Sequence, residues 1–148
     1  MTSGTTIRRP TDQDYQRLLE FRTGLRRFLR WSQEQAGLAR LTPAQHQLLL
    51  AVRGHADPRG PTIGEVADYL LLKHHSVVEL VDRASVIGLL ERVGDDEDHR
   101  VVRLRLTPKG ADRIEGLASA TLAELSRLGP RLRAVWRGLE TELDGPGS

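Results

Sequence analysis

One short helix predicted in the middle of the chain carries a face of basic and hydrogen-bonding side chains. At 100° per residue they cluster at and just after its first turn. They are Lys73, His74, His75, Ser76, Glu79 and Arg83. Such a face suits a DNA major groove, where the first helical turn meets base edges and phosphates. Arg83 could hold a phosphate or a guanine, and His75 and Ser76 could contact bases. An ordinary solvated helix face is the alternative interpretation.

Other chemistry on this face is less well supported by the sequence. His75 and Glu79 have the i, i+4 spacing of a metal-ligand pair, but an ion there would compete with a groove for the same surface. His75 and Ser76 are neighbours on a helix and do not face each other, so they form no nucleophile pair. Cysteine is absent, which excludes disulfides, thiolate metal sites and thiol redox sensing. We therefore expect no metal, no cofactor and no catalytic set, and hence no enzyme.

A second helix must pack against this helix to hold it in place, and the residues before it predict such a helix. Thr62 and Glu65 form a capping-box pattern that opens a helix through about residue 70, and a tight break precedes the next helix at 75–88. The inner face of the first helix is predicted from Val66, Ala67 and Leu70, with Leu72 filling the turn. That of the second is predicted from Val77, Leu80, Val81 and Ala84. Two short helices packed in this way form a helix-turn-helix.

A β-hairpin is predicted directly after the helix pair, from strands at 89–93 and 101–106. The second strand alternates, with apolar residues on one face and with Arg103 and Arg105 on the other. The tip, residues 94–100, holds four acidic residues in succession, 95–98, which would repel phosphate unless Arg100, Arg103 and Arg105 outweigh them. Helix-turn-helix and hairpin together indicate a winged helix-turn-helix, mainly α with a small β wing.

Long amphipathic helices flank this centre. One is predicted over 12–36, closed by Gly37, and another begins at Pro108 and is expected to break at Gly129-Pro130 before a last helix. The predicted division is a flexible N-terminus at 1–11, a long helix at 12–40, a winged helix-turn-helix DNA-binding domain at 41–107 and C-terminal helices at 108–148. Before the helix-turn-helix, a further helix is predicted at 43–54. Thr42 caps it, and Pro43 and Gln45 are its first and third residues.

Several short segments are similar to those of the MarR family of bacterial regulators. They are Leu41-Thr42-Pro43, residues 62–67, residues 80–83, residues 88–92, Asp98-His99-Arg100 and, most specific, Leu106-Thr107-Pro108-Lys109-Gly110. The resemblance covers roughly residues 12–143. It implies that Arg100 reaches into the minor groove, that Asp98 helps to hold the wing, and that the first and last helices of two chains form a homodimer. The sequence departs from the family at Leu71, where glycine is usual, so a distorted or longer turn is expected.

The resemblance also implies a function. We expect a repressor that binds a pseudo-palindromic site in double-stranded DNA and is released by a small aromatic or phenolic effector. Candidate pocket residues are Phe28, Trp31, His46, Arg22 and Arg30, although Phe28 and Trp31 are more readily explained as dimer core. The rival function is a winged-helix protein-interaction module that never binds DNA.

Bulk composition limits these choices only loosely. The 148 residues are enough for one compact domain. The net charge of +2 does not by itself identify a nucleic-acid partner. The N-terminus lacks the apolar segment of a secretory signal, and no apolar run approaches the roughly 20 residues of a membrane span. We therefore expect a bacterial cytoplasmic protein without membrane contact.

Overall fold

The computed structural model describes residues 8–143, with side chains through Leu139. Its elements are α1 (Asp12–Leu38), α2 (Pro43–Gly54), α3 (Ile63–Leu70), α4 (His74–Val86), β1 (Leu90–Gly94), β2 (Val102–Leu106) and α5 (Pro108–Leu143). The predicted fold class, mainly α with a small β wing, is confirmed. Residues 1–7 of the expected flexible N-terminus and residues 144–148 of the C-terminal segment lie outside the described residues.

The chain divides into two compact units. Residues 32–122 form one, called the winged unit here, and residues 1–31 with 123–148 form the other, called the terminal unit. Helices α1 and α5 each contribute residues to both units. Among the described residues, no helix is both long and apolar enough to cross a membrane.

A single hydrophobic core lies at the centre of the winged unit. Each of its helices and both strands contribute, and the largest fully buried side chains include Leu48, Leu49, Leu89 and Leu104. The inner face predicted for the second helix of the pair is confirmed, since Val77, Leu80, Val81 and Ala84 are all buried. On the first helix Val66 is buried, with Ala67 and Leu70 packed against the core.

Both capping boxes form as their sequences predict. The Thr42 Oγ1 accepts the Gln45 N–H at 3.1 Å, while the Gln45 side chain accepts the Thr42 N–H at 3.0 Å. Thr62 and Glu65 repeat the arrangement at the start of α3, with both distances 3.2 Å. Because each box satisfies two otherwise unpaired N–H groups, the boxes fix where α2 and α3 begin.

Strands β1 and β2 pair antiparallel, with Leu90 opposite Leu106 and Gly94 opposite Val102. The segment before α3 lies along the free edge of β2, where the Leu104 N–H donates to the Pro61 carbonyl at 2.8 Å and Thr62 forms a bridge with Arg103. Gly60 makes this approach possible. Its φ is +91°, and a Cβ there would lie 2.0 Å from the Leu104 carbonyl oxygen.

The start of α5 packs as closely on the turn between α4 and β1. Thr107 donates its N–H to the Leu89 carbonyl at 3.1 Å and its hydroxyl to the Gly88 carbonyl. A Cβ at Gly110 would lie 2.0 Å from the Leu89 oxygen, so only glycine fits in this first turn. This contact gives a physical reason for the Leu-Thr-Pro-Lys-Gly segment at 106–110.

Two predicted helix ends are wrong. Helix α1 continues past Gly37 to Leu38, and α5 runs without a break through Gly129 and Pro130. Proline at position 130 has no N–H to donate to the Ser126 carbonyl, which removes one hydrogen bond of the ladder. The flanking turns keep theirs, so one long helix replaces the two that the sequence predicts.

The terminal unit contains no buried side chain among its described residues. Its large apolar side chains are instead exposed to a considerable extent. Those exposed by more than a third are Tyr15, Leu18, Leu19, Leu25, Leu29, Leu125, Leu132 and Trp136. Phe21 and Trp136 contact each other with ring centroids 6.4 Å apart, and Phe28 stacks on Trp31 at 6.0 Å.

Candidate nucleic-acid interface

Helix α4 has one buried face and one exposed polar face. Lys73, His74, His75, Glu79 and Arg83 are exposed and Ser76 is half-buried. Lys73 is the N-cap residue, and its side chain makes no capping hydrogen bond. A helix N-terminus favours anions because its first N–H groups point outward along the helix dipole. The exposed face at the start of α4 therefore combines hydrogen-bond donors, cations and a favourable dipole.

The turn before α4 is closed by the backbone. Leu71 adopts the left-handed conformation (φ 54°, ψ 42°), and both its N–H and that of Leu72 donate to the Ala67 carbonyl. The turn is thus formed in its usual left-handed geometry, and the expected distortion does not occur. Leu72 was predicted to fill the turn, which is wrong: it is 42% exposed and lies outside the core cluster. Backbone hydrogen bonds close the turn, so no side chain is needed inside it.

The wing is anchored by a buried carboxylate at the start of its tip. The Asp95 Oδ1 accepts the N–H groups of Glu97 and Asp98 at 2.8 and 3.3 Å, and its Oδ2 accepts the Arg103 Nε–H at 2.6 Å. The hydrogen bond from Arg103 lowers the pKa of Asp95 to about 2. This side chain is only 5% exposed. Asp95 is therefore an internal ionised group that shapes the tip, and only the other three acidic residues present charge there.

A loop before α3 joins the same network. The Arg103 Nη1 donates to the Gly60 carbonyl at 2.9 Å, and the Arg59 Nη1 lies 3.6 Å from the Asp95 Oδ2. Arg59 also pairs with Asp57, whose pKa it lowers by hydrogen bonding. Two arginines and two aspartates thus connect the 57–60 loop to the wing. The sequence predicted Arg103 as a DNA contact, and the structure places its guanidinium within this network.

Arg100 differs from Arg103 in both exposure and partners. Its side chain is 92% exposed, and its N–H and Nε–H donate to the Asp98 Oδ1 at 3.0 and 3.2 Å. The Asp98 carbonyl in turn accepts the Val101 N–H at 3.0 Å. Asp98 therefore orders the tip and directs the Arg100 base, while the guanidinium end stays available to a ligand.

The effector residues predicted from the sequence do not all line one cavity. Phe28 and Trp31 line a cavity of about 790 Å³ within the terminal unit, but Arg22 and Arg30 are not among its lining residues. His46 belongs to the winged unit, and burial lowers the pKa of its imidazole. Within the part of the chain that the structure describes, no three histidine or acidic side chains gather as a metal site would require.

Sequence reasoning missed the roles of Arg59, Gly60 and Asp95. The available signal was Gly60 directly before Pro61, a pair that marks a turn. Asp95 was grouped with its exposed acidic neighbours, because nothing in its local sequence distinguishes it from Asp96. The hairpin register, with Arg103 opposite Val93, brings Arg103 to Asp95, and the loop before α3 adds Arg59.

Comparison with known proteins agrees with this geometry. Residues 41–101 match the model of the MarR family. An uncharacterized HTH-type transcriptional regulator of Bacillus subtilis, YsmB, is 43% identical over 49 residues, which is 33% of this chain and about a third (34%) of that protein. Among solved structures, a MarR family protein from Bacillus stearothermophilus has a TM-score of 0.71 at 23% identity, covering 93% of this chain and 100% of that one.

A mutant of MepR from S. aureus, bound to an oligodeoxyribonucleotide, has a TM-score of 0.65 at 18% identity, with 84% and 96% of the two chains covered. At these identities the structural matches establish the fold. Residues 41–101 are therefore similar to the MarR family, and across most of its length the chain has the fold of solved MarR family structures.

Proposed function

We propose that this chain binds double-stranded DNA through α4 and the wing, as a homodimer that represses transcription. The observation that carries the proposal is the combination of an exposed, donor-rich α4 face with a hydrogen-bonded wing tip that presents the exposed Arg100. Helix α4 would enter a major groove, and Arg100 would reach the neighbouring minor groove. The oligodeoxyribonucleotide-bound MepR structure, which shares the fold, supports this assignment.

Dimerisation is proposed from the exposed apolar surface of the terminal unit. Isolated exposed leucines are common on monomers, but a cluster that includes Trp136 and six leucines typically marks an interface. A two-fold dimer would present two α4 helices to major grooves about 34–36 Å apart. The proposed operator is accordingly a pseudo-palindrome.

Release by an aromatic or phenolic anion is the finer part of the proposal. Its support is the stacked pair Phe28 and Trp31 at the wall of a cavity that Arg27 and Arg131 also line; Arg22 and Arg30 do not line it. Titration of benzoate into the protein, followed by tryptophan fluorescence, tests it. Saturable quenching that is lost in Trp31→Phe is expected, and a linear response would contradict an effector site here.

The DNA proposal is tested by a mobility-shift titration of Arg100→Ala. We expect affinity for the selected duplex to fall by about tenfold or more, because one groove contact of this kind is worth roughly 1–3 kcal/mol. Arg53→Ala removes one exposed arginine from the same unit and serves as the matched control. Unchanged affinity in Arg100→Ala would remove the wing from the interface.

The salt dependence of duplex binding distinguishes a DNA-binding protein from a protein-interaction module that never binds DNA. Affinity for duplex should fall steeply between low and moderate salt, because each phosphate contact releases counterions. His75→Ala should alter sequence preference more than overall affinity if His75 contacts a base. Absence of duplex binding above background, at any salt concentration, would favour the protein-interaction module.

A further inference from the structure

Three side chains at the junction of α2 and α3 form a hydrogen-bonded series that the proposed DNA contacts do not use. His55 is the C-cap residue of α2, and its backbone there is extended (φ −60°, ψ 137°). Glu65 and Tyr69 are four residues apart in α3 and therefore share one face of that helix. The His55 ring contacts both, since its Nε2 lies 3.1 Å from the Glu65 Oε2 and its Nδ1 lies 2.7 Å from the Tyr69 hydroxyl oxygen.

The Glu65 carboxylate determines which ring nitrogen of His55 carries the proton. A carboxylate can only accept, so the Nε2–H of the ring must donate to the Oε2. The Nδ1 of the neutral ring is then unprotonated and accepts the hydrogen bond that the Tyr69 hydroxyl donates. The other carboxylate oxygen, Oε1, accepts the Thr62 N–H of the capping box, which holds the carboxylate in place. The phenol proton is therefore directed at a base whose own orientation is set.

Burial differs along this series of groups. The His55 side chain is only 8% exposed, whereas the Tyr69 side chain is more than half exposed. The two rings also pack edge to face, with centroids 5.9 Å apart and an interplanar angle of 70°. A hydroxyl, a base within hydrogen-bond reach and a third group that orients the base are the parts of an activated nucleophile. The base is shielded from water here, and the phenol remains accessible to a reagent.

We propose that Tyr69 is a covalent modification site, acylated on its phenol oxygen by a small acyl phosphate. The Tyr69 oxygen attacks the acyl carbon while its proton moves to the His55 Nδ1, and the bond between that carbon and the phosphate oxygen breaks. The proton then passes to the departing phosphate, which leaves as hydrogen phosphate. Phosphate is a weaker base than phenolate and so the better leaving group, which makes the transfer favourable. The chain ends acylated, so this is a modification and not a turnover.

Acylation would remove a contact between α2 and α3. An aryl ester has no proton to donate, so the hydrogen bond from Tyr69 to the His55 Nδ1 is lost. Tyr69 lies in the first helix of the helix-turn-helix, two residues before the left-handed Leu71. The modification would therefore act on the helix that supports α4. It does not depend on whether the α4 face binds DNA.

Acetyl phosphate is the probe, and peptide mass spectrometry measures its reaction with the full-length protein. The initial rate of acetylation at Tyr69 should fall by roughly tenfold or more in His55→Gln, because the positioned general base is removed. Neutral hydroxylamine should remove the label, since it cleaves aryl esters and leaves acetylated lysines intact. Tyr15 is the internal standard, because its hydroxyl has no imidazole partner within the described part of the chain. Its rate should be the same in every variant.

Glu65→Gln separates orientation of the base from folding. Glutamine also completes a capping box, as Gln45 does at the start of α2, so this variant should keep the wild-type unfolding midpoint by circular dichroism. An uncharged amide no longer holds His55 in one tautomer or stabilises its protonated ring. The rate at Tyr69 should therefore fall severalfold while the rate at Tyr15 is unchanged.

Three results would overturn the proposal. The first is a wild-type protein without hydroxylamine-sensitive label at Tyr69. The second is a rate at Tyr69 that His55→Gln and Glu65→Gln both leave unchanged, which would show that the imidazole does not activate the phenol. The third is a parallel fall at Tyr15, because His55 makes no hydrogen bond to that hydroxyl.

Discussion

The winged unit and the terminal unit treat apolar side chains in opposite ways. All buried apolar side chains among the described residues belong to the winged unit. The terminal unit buries none, yet it holds both tryptophans and both phenylalanines of the chain. The winged unit completes its core from its own residues, so its fold does not depend on a second chain. The aromatic content of the terminal unit is explained if its core is finished by a partner.

The largest effect is expected from a change that weakens association through the terminal unit and leaves the winged unit folded. Trp136→Glu places a charge on a ring that is 55% exposed and contacts Phe21. If this ring is an interface anchor, the dimer dissociation constant should rise by about 100-fold or more. Sedimentation measures the dimer, and circular dichroism should show that most helical signal remains. A dimer of unchanged affinity would show that this surface does not mediate association.

The complementary change breaks the winged unit. Gly110→Ala forces a Cβ to within 2.0 Å of the Leu89 carbonyl, and overpacking against rigid backbone should cost about 2–4 kcal/mol of unfolding free energy. Gly116→Ala on the same helix has open space and serves as the control; it should be neutral or slightly stabilising. Chemical denaturation measures both. Equal stability of the two variants would contradict the close packing described for this turn.

A pH effect is expected at the tip of the wing. Because the pKa of Asp95 is lowered from 3.8 to about 2, its stabilising contribution is complete above pH 4 and is lost as the pH falls through about 2. Asp95→Asn should therefore destabilise the protein at neutral pH, and its difference from wild type should shrink between pH 4 and 2. Asp96→Asn, at an exposed neighbour, is the control. A difference that did not change with pH would show that ionisation of Asp95 does not matter.

The smallest expected effect is a gain in stability. Leu71 is 91% exposed and left-handed, a conformation that costs a non-glycine residue about 1–2 kcal/mol. Leu71→Gly should relieve that cost and raise the unfolding free energy by roughly 0.5–1 kcal/mol after the added chain entropy. Leu71→Ala keeps the strain and should give no gain. If both variants lost stability equally, the Leu71 side chain would be making a contact that its exposure does not suggest.

The difference between local and long-range contacts explains which features the sequence could predict. The capping threonines and the Val77–Ala84 face act locally, so capping patterns and periodicity located α2, α3 and α4. Gly60 acquires its role from Arg103, 43 residues along the chain, and Asp95 acquires its role from Arg103 across the hairpin; local patterns do not contain such pairs. Pro130 was interpreted as a helix end because proline disfavours helix interiors, but the long helix tolerates the loss of one hydrogen bond.

The net charge of each unit would also have pointed to the wrong part of the chain for a DNA-binding surface. The winged unit, which carries the proposed DNA contacts, has more acidic than basic residues, while the terminal unit is strongly basic. What matters at a groove is which charges remain available at the docking surface. Asp95 and Arg103 neutralise each other within the wing, and Arg100 stays exposed.

The most direct test of the account is to let the purified protein select its own DNA. Genomic fragments that it enriches should be sequenced, and the recovered motif examined for symmetry. The account predicts two inverted half-sites with centres one helical turn apart, about 10 base pairs, with enrichment that decreases at higher salt and in Arg100→Ala. Recovery of no motif, or of a single half-site without symmetry, would contradict a dimer that binds DNA through two α4 helices.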